Sequence, residues 1–284
     1  MAVTTPTADD VAYLTTLVRA HDRPRYYATL FAPSGTRDDL FALYGFAAEI
    51  ARIPDLVSDP QLGGIRLKWW SDAVETLGTP AGEERTPALR AVAAVVDKHR
   101  LPLVPLVALI EARSADLYSD PPASVAELEG RLGETESTLF QMAAIVTGAK
   151  GPETADAAGH AGVAYGLARR LALVGRDRSR GRTVLPAEIL QASDMSTAEL
   201  FASTAGRGLP KAVAAAAAVA RRHLVEAEQR IATLKRSVRT AFLPLAVVAP
   251  LLHRIEHAGA DIGVREARLS DLESLIRIGL ARLR

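Results

Sequence analysis

Cysteine is absent from this chain of 284 residues. That excludes disulfide frameworks, cysteine-based zinc and iron–sulfur sites and cysteine nucleophiles. Aromatic residues make up only 5%, too few for a base-stacking surface. Neither sign of charge is in excess: 34 Lys and Arg stand against 33 Asp and Glu, a formal net charge of +1. No nucleic-acid partner is expected from so even a balance. A long hydrophobic run is also missing. The longest, from Ala241 to Leu252, is interrupted by Pro244 and Pro250 and falls short of the roughly 20 apolar residues that span a bilayer. The N-terminal stretch has early acids, Asp9 and Asp10, and no basic start before an apolar core. It therefore reads as neither a secretory signal nor a transit peptide, and the cytoplasm is the expected compartment.

What is present is a helical period almost everywhere. Val11, Leu14, Leu17 and Val18 form one stripe, and Leu40, Leu43, Tyr44 and Ala47 another. Thr36 is the expected N-cap of that second helix and Pro54 its stop. Further helices are predicted at about 62–77, 87–99, 103–117, 125–147, 152–174, 209–235, 240–257 and 269–283. Alternating β-branched runs and Asn-Gly or Asp-Gly turns are missing. The expected architecture is all-α, a single domain over residues 1–284, with about ten helices around a shared core.

Three local compositions invite a chemical reading. Arg169, Arg170, Arg176, Arg178, Arg180 and Arg182 crowd one segment with Asp177 as its only acid. Guanidinium forks suit phosphate and carboxylate, so this is either an anion site or a solvated, salt-bridged turn. Asp38 and Asp39 are expected to lie in the first helical turn, offsetting the dipole. His253-Arg254-Ile255-Glu256-His257 has the spacing of a two-histidine zinc site, but such a site needs a third ligand well downstream and little chain follows His257, so a polar helix C-terminus is the expected reading.

Other segments, taken in order, resemble the squalene/phytoene synthase family. They are Arg25-Tyr26-Tyr27 through Pro33 and Arg37, then Phe41-Ala42-Leu43-Tyr44-Gly45-Phe46, then Arg66-Leu67-Lys68-Trp69-Trp70. Glu134-Thr135-Glu136 through Gly148 follows, then Gly166-Leu167-Ala168, Arg176-Asp177 and Gly181-Arg182-Thr183-Val184-Leu185-Pro186. The resemblance implies an isoprenoid-synthase-type helical bundle with a central cavity, in which Tyr44, Phe46 and Trp69 would be cavity residues. It implies two facing acidic clusters that hold Mg²⁺ and a diphosphate leaving group. Arg23, Arg25, Arg37, Arg176 and Arg182 would bind diphosphate.

The acidic motifs of that family are eroded in this chain. Counting on from Phe46, the positions of the first acidic pair hold Ala51 and Arg52, and only Asp55 remains as the third. In the second motif Asp177 remains, and about four residues, one helical turn, are missing before Gly181. Asp55 and Asp177 are thus the residual catalytic and metal candidates, with Glu49 or Asp59 as recruits and Mg²⁺ the cofactor only if the chain is active. The erosion, with Glu49 and the 66–70 segment, resembles a divergent branch of the family that includes an assembly factor of respiratory complex I. Three functions follow as expectations. The first is a protein without the standard chemistry that binds a prenyl diphosphate or lipid-like ligand, or acts in assembly at a membrane surface. The second is an active Mg²⁺-dependent prenyltransferase joining prenyl diphosphates head to head. The third is a helical scaffold with a filled core. The Leu269–Arg284 segment is expected to close the bundle or to touch membrane. The resemblance names no protein partner.

Overall fold

The computed structural model describes residues 6–79, 86–202 and 206–283. Helices carry the fold, and no strand occurs among the described residues. Two of them form its centre. Ser34–Ala51 buries an unbroken run from Leu40 to Ala48, and Ala155–Ala172 buries twelve of its residues. Helices apolar all round belong in the middle of a bundle. Thr138–Val146 lies between them, and Phe140 stacks edge-on against Tyr165 at 5.6 Å and parallel to Phe242 at 5.7 Å.

Ala8–His21 opens with a capping box: Asp10 receives the amide of Thr7, and Thr7 receives that of Asp10. Arg90 then clamps Asp10 through Nη2 at 2.6 Å, tying this helix to Pro87–His99. The guanidinium holds Asp10 at about 2. The alanine-rich Leu209–Ile231 lies along Ala155–Ala172, as small side chains permit. The helical run Arg236–His257 is long and apolar enough to cross a membrane by length and composition, but 67% of its apolar window is buried in the bundle. Its middle is the 3-10 segment Thr240–Val247, wound tightly around Pro244.

Four expectations are corrected here. The Ser34–Ala51 helix starts two residues before Thr36, so Asp38 and Asp39 lie beyond its first turn. Asp39 instead accepts from Lys98 Nζ at 2.7 Å and pairs with His99 Nε2 at 2.8 Å. Pro54 does not end the helical path but occupies the first turn of a short helix, Ile53–Leu56, where a missing amide costs nothing. Arg23–Leu30, Val174–Ser179, Ala187–Ala192 and Thr197–Phe201 are additional helices. Finally, 125–147 is not one regular helix: Gly133–Ser137 is wound as a π-helix.

That π segment touches Ala155–Ala172 where the latter carries glycine. A Cβ on Gly162 would overlap the backbone nitrogen and Oγ of Ser137, and one on Gly166 would sit 2.7 Å from Glu136 Cγ. Gly162→Ala is therefore expected to destabilise by about 3 kcal/mol, because backbone rather than a movable side chain blocks the methyl. Chemical denaturation checks this, with Gly159→Ala as the tolerated control, since nothing lies within 4 Å of that position.

A histidine pair joins the two long helices. His160 Nδ1 and His223 Nδ1 are 3.0 Å apart, and His223 Nε2 lies 2.9 Å from Glu129. Burial, and then the neighbouring ring, hold His160 below its ordinary 6.5. The folded state thus binds this proton less readily than the unfolded chain. Stability should be undiminished above the ordinary value and fall as pH drops from there toward the depressed one. Melting temperatures followed from pH 7.5 downward check the sign, and His160→Asn should flatten the slope.

Candidate functional site

Between the central helices lies a cavity of about 310 Å³. Its walls combine Tyr44, Ala47, Ala48 and Leu139 with an unusual density of charge. Asp22, Asp55, Asp116, Glu136, Asp177 and Glu266 face it, as do Arg25, Arg52, Arg113, Arg169, Arg170, Arg176 and Arg182.

Glu136 is the hub. It projects from the π segment, is buried, and accepts from Arg25 Nη1 at 2.7 Å and Arg113 Nη2 at 3.1 Å. Burial alone would raise this carboxyl, but the two guanidinium groups hold it at about 2. Arg25 also reaches Asp22 at 3.2 Å. Its guanidinium stands within a cage of three rings, 4.8 Å from Tyr165, 5.1 Å from Tyr44 and 5.1 Å from Phe140. Aromatic faces stabilise a desolvated cation, so the centre of the bundle holds a permanent positive charge. Asp22 further pairs with Arg169 at 2.8 Å and accepts the hydroxyl of Tyr165.

Toward the mouth the pattern repeats. Asp116 is shared by Arg170 at 2.8 Å and Arg113 at 3.4 Å. Asp177, buried, is flanked by Arg176 at 3.4 Å and Arg170 at 3.7 Å. Gly181, with φ +69°, turns the chain back so that the amide of Arg182 meets the carbonyl of Asp177 at 2.9 Å. The Arg182 side chain then reaches Asp55, which Arg180 also holds at 2.9 Å. Burial opposes the charge on Asp55, but Arg182, with Arg180 and Arg176 behind it, keeps it below the usual carboxylate range.

Asp55, Asp177, Arg25, Arg176, Arg182 and Tyr44 are therefore brought to one cavity. The remaining sequence candidates lie elsewhere. Arg23 pairs with Asp271 at 2.8 Å on the surface. Arg37 donates to the carbonyls of Leu30 and Ala32, fastening a chain turn. Phe46 is buried in the core against Trp70, and Trp69 is exposed. Glu49 is taken by the Tyr13 hydroxyl and Arg52, and Asp59 caps the next helix through the amide of Gln61. Of the six clustered arginines, Arg178 is buried on the carbonyls of Leu200, Ala202 and Gly263, and the other five are paired with acids. The cluster is thus an internal network, not a bare cationic face. Asp22, Arg113, Asp116 and Glu136 went unmarked as site residues in the sequence. Two of them had a signal: Glu136 in the Glu134-Thr135-Glu136 charge pair at the entry to an apolar helix, and Asp22 in the charged run His21-Asp22-Arg23 that leads to Arg25.

Among the described residues no group of His, Asp and Glu side chains converges as a metal-ligand set. His253 and His257 stand at a helix C-terminus, where Glu256 pairs with Arg221. Several cavity arginines nonetheless keep unused donors. Arg25 Nε and Nη2, Arg113 Nε, Arg170 Nε and Arg176 Nε are buried without a hydrogen-bond partner among the described residues. Such orphaned donors are costly unless something accepts from them.

The helical bundle around this cavity is a family fold, and the chain belongs to the squalene/phytoene synthase family: that family's model matches residues 18–273. Its fold is shared by a dehydrosqualene synthase solved in complex with ligand, at a TM-score of 0.84 and 17% identity over 97% of this chain and 96% of that one. It is shared too by the squalene synthase HpnC from Alicyclobacillus acidocaldarius, at 0.75 and 19% over 88% and 94%. Among curated proteins the chain is similar to the NADH dehydrogenase (ubiquinone) complex I assembly factor 6 of Bos taurus, 26% identical over 250 residues, covering 88% of this chain and 75% of that protein. The Drosophila melanogaster homolog is 29% identical over 255 residues, covering 85% and 74%.

Proposed function

We propose that this protein is a member of the family that has given up metal-assisted ionisation, that its cavity binds an isoprenoid or lipid-like anion without Mg²⁺, and that it serves in the assembly of a membrane complex. One observation carries the reading: both residual motif acids, Asp55 and Asp177, are flanked by arginines of the same chain. Magnesium needs carboxylate oxygens free to complete an octahedron. Here guanidinium groups surround them, and Arg52 occupies the position where a second acid is expected. The donor set does not fit the metal.

Guanidinium binds phosphate oxygens well but is a weak Lewis acid for breaking a C–O bond. The orphaned donors of Arg25, Arg113, Arg170 and Arg176 support an anionic ligand. A cavity of about 310 Å³ lies at the small end of ligand sites, which suits a charged head better than a long chain and argues against a filled core. The assembly part of the reading is supported by the curated relatives, whose names describe assembly factors.

Calorimetry with farnesyl diphosphate in the presence of EDTA tests the binding. Heat of binding is expected, and Arg176→Gln should weaken it by roughly tenfold, the worth of one charge-assisted hydrogen bond. Binding that requires Mg²⁺ would overturn the proposal.

A further inference from the structure

We infer that the last helix, Asp271–Leu283, is an interfacial element that lays its outward face into an anionic lipid surface. Its packing leaves more large apolar side chains outside than inside. The residues it buries are Ser274 and Ile278, and Gly279 meets the Phe31 ring so closely that a Cβ would lie 3.3 Å from it. Leu272, Leu275, Ile276, Leu280 and Leu283 point outward, between 36% and 74% exposed. Ser274, Ile278 and Gly279 fix the helix to the bundle, and five large apolar side chains are left facing solvent. Five such side chains on one short helix form a contiguous apolar patch of the kind that marks an interaction site.

Charge chooses the partner. Arg265, Arg268 and Arg277 are exposed on the helix and the segment leading into it, with Arg282 half-buried beside them. Of the acids nearby, Asp271 is engaged by Arg23 at 2.8 Å and Glu273 by Arg254 at 2.5 Å and Arg277 at 3.1 Å, while Glu266 stands exposed between Arg265 and Arg268 and offsets one of their charges. The surroundings of the apolar face are therefore cationic. Two copies meeting through it would bring arginines against arginines. An anionic bilayer accepts both features, since apolar side chains enter the acyl boundary while each arginine near the surface gains about 1 kcal/mol.

The helix also begins beside the cavity. Arg23, which holds Asp271, adjoins Asp22 of the cavity wall, and Glu266, just upstream of the helix, lies on that wall. A bilayer engaged by this face would lie near the mouth of the cavity.

The inference takes from the proposed function only that the protein works at a membrane, and it holds whatever the cavity binds. Co-sedimentation of the full chain with phosphatidylcholine vesicles, with and without an equal share of phosphatidylglycerol, tests it. Binding to the anionic vesicles alone is expected, and it should weaken as salt is raised. I276D/L280D should lower the partition coefficient by about 100-fold, and R277Q/R282Q by about tenfold. Ile65→Asp, at an exposed position on another helix, should change nothing. Thermal unfolding confirms that the exposed substitutions leave the fold intact, and diphosphate binding in the same variants reads the cavity separately. Failure of the wild-type chain to sediment with anionic vesicles would overturn the inference. So would a dimer in solution that I276D/L280D splits into monomers without changing vesicle binding.

Discussion

Glu136→Gln should lower stability by about 3–5 kcal/mol, the cost of stranding buried charges without their partner. For a chain of this size that is a fall in melting temperature of about 10 °C. The amide keeps the shape of the carboxylate but not the charge shared by Arg25 at 2.7 Å and Arg113 at 3.1 Å. Linkage gives a similar magnitude. The shift from 4.5 to about 2 corresponds to about 3 kcal/mol. Because the folded carboxyl is depressed, that contribution is present in full above the ordinary value and is lost as pH falls toward about 2. Arg25→Met with Glu136→Leu should lose less than either change alone. Asp22 keeps Arg169 at 2.8 Å and Arg113 keeps Asp116 at 3.4 Å, so the pair leaves no isolated charge. A Glu136→Gln variant that melts with the wild type would show that the hub is not electrostatically coupled as its geometry requires.

Asp55→Asn separates the metal-free account from its rival by sign. In a Mg²⁺-dependent enzyme this residue is a ligand, and its loss weakens diphosphate binding and abolishes turnover. In the arrangement described above, Asp55 competes with any bound anion for Arg180 and Arg182. Removing its charge releases two guanidinium groups and removes a repulsion. Affinity for inorganic pyrophosphate in EDTA should therefore rise roughly tenfold. Competition or calorimetry reads it directly, and a decrease would count against the arginine lock.

Much of this was legible in the residues and some was not. The helical period located the core because burial and amphipathicity write the same spacing, and Pro87–His99 has the predicted ends because Thr86 caps it and Pro87 starts it. Helix interruptions were less visible. The π segment at Gly133–Ser137 packs closely on Gly162 and Gly166 across the interface, a tertiary contact with no local marker. Asp38-Asp39 looked like a helix start because acids favour first turns, but Pro33 begins the helix earlier and Asp39 serves Lys98 and His99. The eroded acids were readable from motif spacing. The fate of their charges was not, because the partners come from distant segments: Asp55 meets Arg180 and Arg182, and Glu136 meets Arg25. The crowding of arginines at 169–182 is accommodated by pairing rather than exposure, with partners supplied from distant segments as well as from Asp177.

The most direct test is incubation of the purified protein with farnesyl diphosphate and geranylgeranyl diphosphate, with and without Mg²⁺, following pyrophosphate release and binding heat together. The account predicts binding heat that does not depend on Mg²⁺ and no release of pyrophosphate above the protein-free control. Mg²⁺-dependent release that Asp55→Ala and Asp177→Ala abolish would contradict it, and would mean that these two acids leave their arginines to hold metal.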